Sequence, residues 1–153
     1  MSDDKKMKIW DKRQQFCGQS IEAHVAEIMS VDYSPFEANL VITGSADRSV
    51  AVWDTRNLKT KLFSLRKHTD EVNQVKFSRH ACNLLASGSS DRTVVIWDLS
   101  RIGMDHQLTE EEKKDGPAEC VFIHGGHTAK ISDLSWNLNE RVMLASVAED
   151  NIL

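Results

Sequence analysis

No stretch of this chain approaches the ~18 consecutive apolar residues that a membrane-spanning helix needs. The first residues lack the apolar core of a secretory signal peptide. Cysteine is sparse: Cys17, Cys82 and Cys120 are odd in number and far apart. Such a set makes neither a disulfide framework nor a zinc site, and it fits a reducing compartment. Each is expected to be a solitary buried thiol. Helical periodicity is poor; only Leu108 to Lys114, LTEEEKK, fits a turn or two of exposed helix. Gly125-Gly126 is followed by no Lys-Ser/Thr pair, so it is not a phosphate loop. His124 and His127 have a spacing that metals use, but no Cys or carboxylate is placed to complete a set. No metal or cofactor is implied. The net charge of −4 argues against direct nucleic-acid binding and toward a basic partner.

What is present is repetition. Gly88 to Asp98 reads GSSDRTVVIWD, and Gly44 to Asp54 reads GSADRSVAVWD. Asp4 and Trp10 repeat the spacing near the start, and Val147 to Leu153, VAEDNIL, opens a fourth copy. Asp4, Asp47, Asp91 and Asp150 are 43, 44 and 59 residues apart. His24, His68 and His127 each precede their Asp by 23. A period of roughly 40–45 closing on Trp-Asp is the signature of four-stranded propeller blades. The fold class expected is all-β, a partial propeller of about three blades with an unclosed ring. Units fall at about 1–23, 24–67, 68–126 and 127–153 within one domain of 153 residues.

Strands are expected at Met7 to Asp11, Phe16 to Ile21 and Ile28 to Ser34, and over the equivalents of the last around Val72, Val75, Phe77 and Ile131, Leu134, Trp136. These apolar spacings break strict alternation, and the match between units is the stronger argument. Further strands are expected at Asn39 to Gly44, Asn83 to Gly88 and Arg141 to Ser146. Val50 to Trp53 and Thr93 to Trp97 are continuous β-branched and aromatic runs, as in strands covered on both faces. The chain starts and stops at equivalent turns, so the expectation is a fragment of a longer product, poorly soluble alone because its sheet edges are open.

Each unit carries a His, a hydroxyl, an Asp and, where present, a Trp. The sets are His24, Thr43, Asp47, Trp53; His68, Ser87, Asp91, Trp97; and His127, Ser146, Asp150. A hydrolase needs one nucleophile in one cleft. Three copies at fixed spacing are instead what a structural hydrogen-bond network requires. The protein is not expected to be an enzyme. His80 and His106 are expected to be solvated.

The interval of 59 residues marks a 15-residue insertion, about residues 101–119. Its core, Met104 to Glu119, holds six acidic residues (Asp105, Glu110, Glu111, Glu112, Asp115, Glu119) and two basic ones (Lys113, Lys114). A charged loop of this length is either solvated decoration or a binding loop.

The units resemble WD-repeat propellers. DGPAECVFIHGGHTAKISDLSWN, Asp115 to Asn137, and ITGSADRSVAVWDTRNLK, Ile42 to Lys59, further resemble the retinoblastoma-binding, histone-binding WD-repeat family that includes the small subunit of chromatin assembly factor. The resemblance implies a non-catalytic nuclear scaffold of chromatin assembly, deacetylase and remodelling complexes. Its implied partners are core histones, histone three and histone four, and chromatin-complex subunits, with no membrane role. The loop residues implied to receive the basic helix of histone four are Glu111, Glu112, Asp115, Gly116, Pro117 and Glu119, with Phe122 and Ile123 as apolar neighbours. Glu27, Glu71 and Glu149 are implied at a top-face peptide site. Ala118 stands where the family usually has a second proline, and Cys120 and Val121 stand where it has leucines. Lys113 and Lys114 dilute the acidic run, and Met29 and Asn73 depart from an asparagine and an aromatic. The family's long N-terminal helix, which makes half of the groove, has no counterpart here. The alternative is a WD-repeat adaptor of another complex, such as a ubiquitin-ligase substrate receptor, separated from the first reading by a core-histone pull-down.

Overall fold

The computed structural model describes residues 5–10, 13, 17–104 and 116–150, without the side chains of Cys17 and Gln19. The helix expected over Leu108 to Lys114 lies outside them, as does His106. Twelve strands make four antiparallel sheets among the described residues. β1 (Lys6–Trp10) pairs with β2 (Cys17–Glu22). β3 (Ile28–Tyr33), β4 (Leu40–Ser45), β5 (Ser49–Asp54) and β6 (Phe63–Arg66) form one four-stranded sheet in chain order. β7 (Val72–Phe77), β8 (Leu84–Ser89), β9 (Val94–Asp98) and β10 (Cys120–His124) form a second. β11 (Ile131–Trp136) pairs with β12 (Leu144–Ala148). Meanders of this kind stacked face to face make a partial β-propeller.

The broken alternation of the innermost strands has a mechanical cause. β3, β7 and β11 each slip register at the same place, between Ile28 and Ser30, Val72 and Gln74, and Ile131 and Asp133. One extra residue in a strand reverses the side on which later side chains emerge. Val72, Val75 and Phe77 therefore all reach buried positions despite their uneven spacing, as do Ile131, Leu134 and Trp136. In β3 only Ile28 is buried. Val31 and Tyr33 are 50% and 48% exposed, because the β1–β2 sheet packs on Ile28 and not on the rest of that row.

The core is laminated between sheets. Ile42, Val50, Val52 and Leu65 meet Val72, Val75, Phe77, Leu85, Val95 and Trp97 between the two complete blades. Met7 and Ala23 meet Ile28, Val41, Ala51 and Trp53 on one side, and Ala86 and Val94 meet Ile131, Leu134 and Trp136 on the other. Burying side chains of this size contributes about 1.5–3 kcal/mol each. β12 begins at Leu144 rather than Arg141, because Glu140 to Met143 make a turn in which the Met143 N–H faces the Glu140 carbonyl. Two thiol expectations fail. Cys82 is exposed in the turn before β8, and Cys120 is half-buried at the start of an outer strand.

The blades approach closely at two glycines. A Cβ on Gly44 would sit 2.9 Å from Cγ1 of both Val72 and Val75. One on Gly88 would sit 2.6 Å from Ile131 Cγ2. Gly44→Ala and Gly88→Ala should each lower stability by about 1–3 kcal/mol through overpacking. Urea midpoints of the two variants against the parent chain check this; unchanged midpoints would mean that the blades can stand apart.

Candidate functional site

The repeated polar set assembles in space. Trp53 Nε1–H donates to Thr43 Oγ1 at 2.9 Å, and Thr43 Oγ1 lies 2.7 Å from His24 Nε2. His24 Nδ1 lies 2.8 Å from Asp47 Oδ2. The second set repeats this: Trp97 to Ser87 at 2.7 Å, Ser87 to His68 at 2.7 Å, and His68 to Asp91 at 2.9 Å. In the third, Ser146 lies 2.8 Å from His127 Nε2, and Asp150 lies 3.2 Å from Nδ1. Donor chemistry fixes the protons. An indole N–H only donates, so the hydroxyl oxygen accepts it and passes its own proton toward Nε2. In its neutral form the ring then keeps its proton on Nδ1 and donates it to the carboxylate.

Burial drives this assignment at His24, where it lowers the ring's pKa below 6.5 against the pull of Asp47. Burial alone would push the Asp47 and Asp91 carboxyls up. Hydrogen bonds from Ser49 and His24, and from His68 and Thr93, outweigh it and hold both below the usual carboxylate range. Ser49 and Thr93 are members that the sequence reading missed. Thr93 Oγ1 donates to Asp91 Oδ1 at 2.6 Å, and the Ser49 hydroxyl donates to Asp47 in the same way. Their signal was present, a hydroxyl residue two places after both Asp47 and Asp91. The Asp47 and Asp91 N–H groups in turn donate to Ser45 and Ser89, both at 3.1 Å.

Trp10 has the spacing of Trp53 and Trp97 but not their setting. It is 65% exposed, whereas Trp53 and Trp97 are 4% and 0% exposed. His24, Thr43, His68 and Ser87 are closed between sheets, while Ser146 borders a groove of about 430 Å³ between the second blade and β11–β12. His80 is not simply solvated, for its Nε2 lies 3.1 Å from the Asn137 carbonyl. His124 is exposed, with its ring edge-on to His127 at 6.0 Å between centroids. No group of three metal-ligating side chains occurs among the described residues. No helix there is long and apolar enough to cross a membrane.

Of the insertion's residues, Glu111, Glu112 and Asp115 lie outside the described ones. Its two ends are stitched together. Asp98 N–H donates to the Glu119 carbonyl at 2.8 Å, and Cys120 N–H to the Pro117 carbonyl at 2.9 Å. On the leaving side, the Asp98 carboxylate accepts from Ser100 N–H at 2.9 Å, capping a short 3-10 turn, Leu99–Arg101. Gly116 turns with φ +139, against the side chain of Lys67. Ala118 is buried, Pro117 and Glu119 are half-buried, and Val121, Phe122 and Ile123 on β10 are 45%, 58% and 38% exposed.

The three glutamates divide. The Glu27 and Glu71 carbonyls accept from Ala46 N–H and Ser90 N–H at 3.0 and 2.9 Å, so both residues sit at the same point before an inner strand. Glu149 stands instead at the position of Ala46 and Ser90, and its N–H donates to Lys130 at 3.1 Å. Lys130 holds the place of Glu27 and Glu71, and its Nζ is 3.1 Å from the Glu149 carboxylate. The third unit thus presents an ion pair where the first two present a carboxylate.

The WD domain, G-beta repeat family matches residues 15–54, 59–98 and 118–153. The chain belongs to that family. Its WD repeats make it a protein-interaction scaffold, a class that is typically non-enzymatic. The polar sets then have a structural task, since each lets a buried indole, hydroxyl and imidazole satisfy one another.

His68→Ala should lower stability by about 1–3 kcal/mol, because Ser87 and Asp91 lose their shared partner inside the sheet. Thermal melts of the variant and the parent chain check it. The pH dependence has a definite sign. The unfolded chain binds a proton on His24 near pH 6.5 and on Asp47 and Asp91 near 3.8, each before the folded chain does. Stability should therefore fall as pH drops below about 6.5, and fall again below about 4. Urea titrations across pH 3 to 8 would show it, and His24→Gln should remove the upper step while leaving the lower one.

Proposed function

We propose that this WD-repeat chain belongs to a histone-binding scaffold of nuclear chromatin complexes, and that the insertion receives a basic amphipathic helix such as that of histone four. The observation that carries the reading is the insertion's seat. Asp98 and Glu119 bring its ends together at the side of the second blade, next to the exposed apolar strand residues Val121, Phe122 and Ile123. The sequence between them is rich in carboxylates: Asp105, Glu110, Glu111, Glu112 and Asp115. An apolar strip beside an acidic run is the complement of a helix with one apolar and one Arg/Lys face. Such pairing sets association rate and salt sensitivity more than raw affinity. Glu27 and Glu71, at matching places on one end of adjacent blades, support a second contact with a basic peptide, the tail of histone three. Glu149, held by Lys130, contributes less there.

The test is a pull-down of core histones, with fluorescence polarisation of a labelled basic amphipathic helix at low and moderate salt. Binding should weaken as salt rises. The triple variant Glu111→Lys, Glu112→Lys, Asp115→Lys should abolish it, and Phe122→Ala should weaken it roughly tenfold, about 1.4 kcal/mol. Histone capture that ignores the triple variant removes the insertion from the mechanism.

A further inference from the structure

The inner strands β7 and β11 part into a hollow of about 210 Å³ at the end away from Glu27 and Glu71. Its floor is apolar, for Phe77 and Trp136 are buried at the ends of the two strands. The indole is fixed there, its Nε1–H donating to the Lys76 carbonyl at 3.2 Å. His80 Nε2, 3.1 Å from the Asn137 carbonyl, ties together the loops that follow the two strands. Leu138 is exposed on the wall from the third unit. Lys76, half-buried, and Arg79, exposed, stand on the wall from the second. Pro35 and Arg79, the equivalents of Leu138 in the first two units, are exposed as well, so an open loop at this place belongs to the repeat.

The repeat supplies its own control for the charge. Lys76 corresponds to Asp32 in the first unit and Ser135 in the third, and Arg79 to Pro35 and Leu138. Between the first two units the Asp32 carboxylate crosses to the next inner strand, where it accepts from Phe77 N–H at 2.9 Å. Between the second and third units Trp136 stands in the place of Phe77, and Lys76 in the place of Asp32. An ammonium has donors only, so Lys76 cannot repeat that contact. Neither Lys76 nor Arg79 has an ion-pair partner among the described residues. One seam therefore holds a carboxylate, and the next gathers two cations over an apolar floor.

We propose that this hollow binds an acidic peptide segment: one large apolar side chain fills it, and a neighbouring Asp or Glu bridges Lys76 and Arg79. The ligand's carboxylate takes the place at the second seam that the Asp32 carboxylate takes at the first. The size favours a peptide. About 210 Å³ is below the ~300–1,000 Å³ of small-molecule pockets and suits one side chain of a longer ligand. The Arg79 guanidinium can grip a carboxylate at two points, with Lys76 as a point charge beside it. The apolar wall keeps water from screening the pair as fully as on an open surface. A basic segment of the kind proposed for Glu27 and Glu71 is repelled here, so the two ends of the inner strands select opposite charges. The site depends neither on histone binding nor on the insertion.

Fluorescence polarisation of the 153-residue chain tests the site with two capped, labelled peptides. One is Glu-Asp-Leu-Asp-Glu, and the other has alanine in place of leucine. The leucine peptide should bind, more weakly as salt rises, and the alanine peptide at least tenfold more weakly. Lys76→Gln with Arg79→Gln should weaken the leucine peptide at least tenfold. The circular dichroism melt of that variant should stay in place, because Trp136 bonds the Lys76 carbonyl, which the substitution keeps. Leu138→Ala should weaken the leucine peptide and leave the alanine peptide unchanged. Four results would each overturn the proposal: no binding of the leucine peptide up to the chain's solubility limit, equal binding of the two peptides, affinity unmoved by the double variant, or a short oligothymidylate bound with the same dependence on Lys76 and Arg79.

Discussion

A histidine enclosed between β-sheets is tolerable only when both ring nitrogens have partners, since an unpaired buried donor or acceptor costs about 1–3 kcal/mol. The whole architecture answers that constraint. Within each of the two four-stranded blades a line runs from indole through hydroxyl and imidazole to carboxylate, joining the third strand, the second strand, the loop before the first and the turn after the second. The Asp then anchors its own turn through Ser49 or Thr93. Because the line crosses strands rather than following one, it fixes the register of the sheet and the path of the loops together. Losing one member strands the others, so the set behaves as a unit.

The same network explains why triad chemistry is a poor description of these residues. A nucleophilic hydroxyl must be reachable and must face a place where charge can develop. Thr43 and Ser87 are sealed between sheets, with their oxygens already accepting from Trp53 and Trp97. Ser146 differs only because its blade has two described strands, and its hydroxyl is engaged by His127. What distinguishes one blade from another lies outside the network. It lies in the insertion between β9 and β10, in the exchange of Glu for Lys130, and in the apolar rows left open on β3 and β12.

The open row on β3 and the buried rows of β7 and β11 share one cause, the bulge at the start of each of these strands. It lets uneven apolar spacing produce a continuous buried stripe when a neighbouring blade is present, as for Val75 and Phe77, and an exposed stripe when it is not, as for Val31 and Tyr33. Burial here is a property of the stack rather than of the strand. That holds for repeat architectures in general, in which each unit contacts only its neighbours.

The sequence by itself determined the repeat, the strand order within it and the His, hydroxyl, Asp and Trp of each polar set. These depend on short, fixed spacings: 23 residues from His to Asp, 19 from His to hydroxyl, 10 from hydroxyl to Trp. It missed Ser49 and Thr93, although each stands two places after its Asp, because only the folded turn shows the hydroxyl bonded to that carboxylate. Tertiary structure alone decided which apolar residues are covered, that Cys82 is exposed, that His80 reaches Asn137 in the next unit, and that Glu149 belongs beside Lys130 rather than with Glu27 and Glu71. The reason is physical. Covalent spacing fixes what a residue meets inside its own hairpins, whereas exposure and ion pairing are set by what the neighbouring sheet brings to the same face.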